Sequence, residues 1–336
     1  MITSTMPVYF TGQKILNRRT YAPLLSLLFF CLMLMGCDEK PVKPLRVGTN
    51  TWIGYETLYL ARNLGFLDSA PIRLVELPSA TETIHAFRNR TLEVAALTLD
   101  ETLTLLESES DIKIILVIDF SHGGDVLLAQ PSITTLPKLK GKRIGVENTA
   151  VGAILLDGAL SEAGLTPADI EIVPLTVDEH LFAYLNGEVD GIVTFEPVKN
   201  QLLSAGAVNL FDSSQIPERI VDVLITRRQV IEDRPQDLKR LLSAYFEALG
   251  YLAEAPLDSA KRIAPRMGLS SDQILPQYAG LKIPDITENR QLLKNGNSRL
   301  KANIARLTEI MYRKELLFKP IDTRSLTDAS LLPGTS

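Results

Sequence analysis

Among its 336 residues the chain holds two cysteines, three histidines and one tryptophan. Both cysteines, Cys31 and Cys37, fall near the N-terminus, so the chain beyond them has no thiol. A disulfide framework and thiol chemistry are thereby excluded from the body of the protein. His85, His122 and His180 are far apart, with no His-x-x-x-His spacing and no ligating cysteine nearby, so no metal site is expected. No Gly-x-Ser-x-Gly elbow or phosphate loop occurs, and neither a cofactor nor catalysis is expected. Basic clusters are missing too: 35 Lys and Arg stand against 40 Asp and Glu, for a net charge of −5. Nucleic acid is therefore an unsuitable partner. A long apolar run is also lacking. The longest, Leu24 to Met35, falls short of the roughly 20 residues a membrane-spanning helix needs.

That run does have a recognisable setting. Lys14, Arg18 and Arg19 precede it, and Leu34-Met35-Gly36-Cys37 closes it before a polar turn at Asp38-Glu39-Lys40. A basic stretch, a short apolar core and a small residue at the cut site mark a signal peptide; an uncleaved anchor helix is the alternative. Leu34-Met35-Gly36-Cys37 resembles a bacterial lipobox. That resemblance implies cleavage after residue 36 and lipid attachment (diacylglycerol and palmitate-type acyl chains) at Cys37. Asp38 resembles an inner-membrane retention signal, which places the protein on the periplasmic face of that membrane. Residues 37–44, with two prolines, read as a tether.

From Leu45 onward, strand and helix patterns alternate, which indicates an α/β fold with mainly parallel sheets flanked by helices. The pattern then restarts. Arg46-Val47-Gly48 recurs as Arg143-Ile144-Gly145, and the same offset of 97 places Val75 on Ile172, Asn89 on Asn186, and Leu92-Glu93 on Val189-Asp190. Two similar lobes follow. Lobe 1 takes residues 45–125 and 221–320, and lobe 2 takes 126–220. Residues 321–336 carry no periodicity and read as a loose tail.

In open parallel sheets, ligands bind beyond the carboxyl ends of the strands. That rule selects Trp52 and Tyr55 after the first strand, Thr81 after the second, and Thr98 and Asp100 after the third. In the second lobe it selects Asn148, Thr149 and Glu196. Trp52 is either a stacking wall for a planar ligand or a core residue covering the sheet edge. Gly54 and Gly152 precede helices, where free N–H groups would suit an anionic group. Glu196 and Asp100 rank as ligand contacts ahead of Asp119, Asp125 and Asp222. The loops selected hold acids but no Lys or Arg, which favours an amine or nitrogen heterocycle over nitrate or a sulfonate.

Trp52-Ile53-Gly54-Tyr55, Leu58-Tyr59-Leu60-Ala61-Arg62, Leu64-Gly65-Phe66, Phe87-Arg88-Asn89, Leu139 to Val146 and Glu196-Pro197 form a set. Together they resemble the nitrate/sulfonate/taurine and thiamine-pyrimidine-precursor group of solute-binding proteins, from about Leu45 to about Lys314. The resemblance implies a two-lobed type II periplasmic-binding-protein fold, a monomer that closes on a small molecule, and delivery to an ABC permease. Two alternatives share the fold: a sensor reporting to a membrane kinase or cyclase, and a pyrimidine-synthase-like enzyme. The latter depends on a cysteine-rich segment that this chain lacks.

Overall fold

Leu45-Arg46-Val47-Gly48-Thr49 forms strand β1, buried along nearly its whole length, in a computed structural model of the chain. Residues 1–7, 9, 43–147, 149–294, 296 and 298–334 are described; Cys37, most of the leader and tether, and Asn148 lie outside them. Residues from Pro44 onward make one compact unit. After β1 come α1 (Glu56–Asn63), β2 (Ile72–Glu76), α2 (Ala80–Arg88), β3 (Val94–Thr98), α3 (Leu99–Leu105) and β4 (Ile112–Ser121). The chain then crosses to β5 (Val126–Ala129), β6 (Arg143–Val146), α4 (Ala150–Ala163), β7 (Glu171–Pro174), α5 (Val177–Leu185), β8 (Gly191–Thr194), α6 (Val198–Ser204) and β9 (Val208–Asp212). It returns through β10 (Val221–Arg227) to α7 (Arg228–Asp233), α8 (Pro235–Glu254), α9 (Pro256–Met267) and α10 (Ser271–Tyr278). A short β11 (Leu281–Lys282), α11 (Ile286–Leu293) and α12 (Arg299–Arg313) follow.

The first sheet has the order β11-β4-β10-β3-β1-β2 and the second β7-β6-β8-β5-β9. Strands β3, β4, β5 and β10 are buried on both faces, which is why they read as continuous apolar runs rather than alternating ones. Each sheet is mixed, with most of its strands sharing one direction. Strands β2-β1-β3 and β7-β6-β8 are parallel, whereas β10 runs antiparallel between β3 and β4, and β5 antiparallel between β8 and β9. The reversal arises at the crossings, where a strand leaving one sheet enters the other without an intervening α-helix.

The repeat extends to side chains. Arg46 donates from its backbone N–H and its Nε to Glu93 and from Nη2 to the Arg90 carbonyl. Arg143 makes the same bonds to Asp190 and to the Gly187 carbonyl, every partner 97 residues on. Strand register matches as well, Val47 with Val94 and Ile144 with Gly191. One equivalence needs correction. Gly48 lies opposite Val75, but Gly145 lies opposite Val173, so Val75 corresponds to Val173 and not to Ile172. The second lobe carries one extra residue before β7 and loses it again before β8.

The segment expected as a loose tail is packed. The Leu326 carbonyl accepts from the Ile114 N–H at 2.7 Å, Asp328 N–H donates to the Ile114 carbonyl at 2.9 Å, and Leu326 and Leu331 are buried. The cause lies in β4, which β11 pairs only at Phe120 and Ser121. The remainder of that edge offers bare backbone groups, which must find partners. Asn289 takes the Val117 N–H at 2.8 Å and the tail takes Ile114. On the opposite side of the lobe Arg266 holds the fully buried Glu56, donating from Nε at 2.8 Å and stacking on the Tyr59 ring at 3.5 Å. Burial still raises Glu56 to about 7.

Candidate functional site

The carboxyl ends of β1, β2 and β3 face the corresponding end of the second sheet across a narrow cleft that holds a cavity of about 30 Å³. Asn50, Trp52, Tyr55, Thr98, Glu101 and Asp222 line it from the first lobe. Glu147, Val151 and Phe195 line it from the second, and Asp125 from the crossing between them.

Register explains the floor. Asp222 on β10 lies opposite Thr98 on one side and Asp119 on the other. These carboxylates anchor the aromatic walls. Trp52 Nε1 donates to Asp119 Oδ2 at 3.1 Å, and the Tyr55 hydroxyl donates to Asp222 Oδ1 at 2.5 Å. Gly54 makes the first bond possible, because a Cβ there would sit 1.9 Å from Asp119 Oδ2. The absence of a side chain there lets the carboxylate approach. Phe195 meets the Trp52 ring edge-on at 5.4 Å, joining the lobes through an aromatic pair. Trp52 is both wall and core: it lines the cavity and is only 4% exposed.

Acids dominate the surroundings. Asp100, Glu101, Asp119, Asp125, Glu147, Glu196 and Asp222 are all buried there. Among the described residues, Lys199 is the one basic side chain paired with any of them, at 3.4 Å from Glu196. Burial disfavours the charged form of each. It pushes Asp119 up to about 7 against the pull of the Trp52 N–H, and Asp125 up to about 6 against Ser121 and Lys199. Glu101 rises to about 7 through burial, despite the N–H of Thr98. Burial, reinforced by the neighbouring Asp119, holds Asp222 well above the carboxylate range. Several oxygens have no partner: both of Asp100, and one each of Glu101, Asp119 and Asp125. Unmet buried acceptors are costly, and of these only the oxygens of Glu101 and Asp125 belong to residues that line the cavity.

Of the residues selected from sequence, Trp52, Tyr55 and Thr98 line the cavity. Thr81 stands at its rim, its N–H and hydroxyl both donating to Glu147. Thr149 lies at the start of α4 in an adjoining groove with Thr81. Glu196 and Asp100 do not reach the cavity either. Glu196 is engaged by Lys199 and by the Asn200 N–H at 3.3 Å, and its neighbour Phe195 faces the cavity instead. Asp100 is buried behind Glu101 and is not among the lining residues. Asp125 and Asp222, ranked lower, do line it. The strand-end rule passes over Asp222 because its strand runs antiparallel. The histidines hold other posts. His180 is buried against the Thr194 hydroxyl and kept neutral, its value lowered to about 4 by burial. His122 sits in the crossing, donating its N–H to the Gly280 carbonyl.

The crossing resembles a hinge of two strands laced by hydroxyls. Ser121 and Ser213 share a hydrogen bond of 2.7 Å, and Ser213 N–H donates to the Asp125 carbonyl at 2.9 Å.

Comparison with known proteins places this geometry. A model of the NMT1-like family matches residues 38–267. The taurine-binding periplasmic protein of Escherichia coli is 24% identical over 173 residues, covering 51% of this chain and 54% of that protein. The chain spans about half the length of the curated relatives it matches. The solved periplasmic aliphatic sulphonate binding protein SsuA of Escherichia coli superposes with a TM-score of 0.68 at 21% identity, covering 85% of this chain and 97% of that one. The desulfurization enzyme DszB superposes at 0.60 and 18% identity, covering 85% and 97%. The fold is thus that of periplasmic binding proteins, and it accommodates an enzyme as well. Among the described residues no helix is long and apolar enough to cross a membrane.

Proposed function

The chain belongs to the NMT1-like family, and from that premise we propose that it is an extracytoplasmic solute-binding protein of an ABC importer, closing its two lobes on a small amine or nitrogen heterocycle. The observation that carries the ligand class is the excess of buried carboxylates around the cavity, with unpartnered oxygens on Glu101 and Asp125 at its wall. An ammonium or ring N–H would meet those acceptors, while Trp52, Tyr55 and Phe195 would cover a planar or apolar portion. A cation against these rings gains further attraction. The relatives named for taurine and sulfonates support the importer role; the acidic lining departs from what a sulfonate would favour. Capture rather than catalysis is the proposed activity, by a monomer tethered through lipid at Cys37.

Calorimetric titration of the purified protein with aminopyrimidines, small amines, taurine, alkanesulfonates and nitrate tests the ligand class. Binding confined to nitrate or sulfonates would refute it. Deleting the gene should abolish cellular uptake of the ligand so identified, and unchanged uptake would sink the importer role.

A further inference from the structure

The cleft contains one contact that ties the lobes through a charge. Helix α2 begins at Ala80, and its N-cap Ser79 accepts the Glu82 N–H. Within its own lobe that leaves the Thr81 N–H and hydroxyl unclaimed. Both converge on a single atom of the other lobe, Glu147 Oε1, at 3.1 and 2.8 Å. Glu147 is 5% exposed, and it reaches this point from the turn between β6 and α4, where its carbonyl accepts the Thr149 N–H.

We propose that Glu147 is a specificity-determining residue that closes the cleft to oxyanions, its carboxylate occupying the donor seat on α2 that a sulfate or sulfonate would otherwise take. Helix N-termini with free N–H groups and a hydroxyl are suited to anions. Here the anion is supplied by the protein itself. The adjoining wall reinforces the exclusion, since Glu101 lines the same cavity with one buried oxygen unpartnered and, among the described residues, makes no ion pair. An incoming oxyanion would have to displace Glu147 and then lie against Glu101. An incoming cation meets two acceptors. The inference rests on the cavity being the ligand site, but not on the nitrogen-bearing class of ligand.

The test uses the purified full chain, with sulfate and methanesulfonate as probes in calorimetric titration. Wild type should bind neither in the millimolar range. E147A empties the seat and should bind sulfate about tenfold more tightly or better than wild type, on the scale of one charge-assisted hydrogen bond. E147Q keeps an oxygen for Thr81 and should remain closed. Adding T81V to E147A should cancel the gain, because the donors are then lost. E147S replaces E147A if the alanine variant does not fold, and it is read identically. Wild-type sulfonate binding that E147A leaves unchanged would overturn the proposal. So would a folded E147A or E147S with no gain, or a gain that survives T81V. In the same titrations, failure of every amine on wild type refutes the ligand class while the sulfate comparison still decides the role of Glu147.

Discussion

Replacing Asp125 with asparagine isolates the cost of keeping an ionised carboxylate in the cavity wall. Burial holds Asp125 at about 6, whereas a free aspartate titrates near about 3.9. The group is thus easier to protonate in the folded state than in the unfolded one. Its ionisation therefore weakens the fold as pH rises from about 4 to about 6, and the loss is complete above that range. A difference of about two units corresponds to about 3 kcal/mol. Asparagine keeps the shape and the backbone bond from Asp125 N–H to Ser121 Oγ at 3.2 Å, and it carries no charge to bury. Urea unfolding of the ligand-free protein at pH 4 and pH 8 measures the difference. The variant should match wild type at pH 4 and exceed it by about 3 kcal/mol at pH 8, while binding a cationic ligand more weakly. A stability difference independent of pH, or a loss at pH 8, would refute the reasoning. For the same reason wild-type affinity for a cation should increase between pH 5 and pH 8, as Asp125, Glu101 and Asp119 ionise.

Other perturbations probe the supports of the site. Gly54→Ala drives a Cβ onto Asp119 and should release Trp52, lowering ligand affinity at least about tenfold with a red shift of the single tryptophan's fluorescence; an unshifted spectrum would contradict this. Arg266→Met strands the buried Glu56 and should destabilise by about 3–5 kcal/mol, with recovery on adding Glu56→Gln; absence of recovery would place the damage in packing over Tyr59. Arg46→Ala and Arg143→Ala remove matching, partly exposed clamps and should each lower the denaturant midpoint slightly and by similar amounts. Their effects should add in the double variant, and strong coupling would deny the independence of the lobes.

Legibility from sequence followed the physics of each feature. The repeat was readable because Arg46 and Arg143 clamp strand to strand through local, residue-specific bonds that leave the same letters at the same spacing. Loops at parallel strand ends were readable too, and they contained Trp52, Tyr55 and Thr98. Asp222 and Asp125 were undervalued because their place depends on which strand reverses between the sheets, a decision made by distant pairing. Glu196 was overvalued because a lysine three residues later claims it across one helical turn. The fate of the tail was hidden for a similar reason. Nothing in Leu326 or Thr327 announces that Ile114, more than two hundred residues earlier, has a free backbone edge.

That last pairing bears on the order in which the molecule can be assembled. Lobe 2 is drawn from one uninterrupted stretch, β5 to β9, and has all its strands as soon as residue 212 is made or delivered. The first sheet starts earlier yet finishes last, since it waits for β10 in its middle and for Thr327 on the flank of β4. A chain threaded N-terminus first through a membrane would therefore complete its second half before its first. The lobe that holds Trp52 and Asp119 would remain open until Thr327 had arrived.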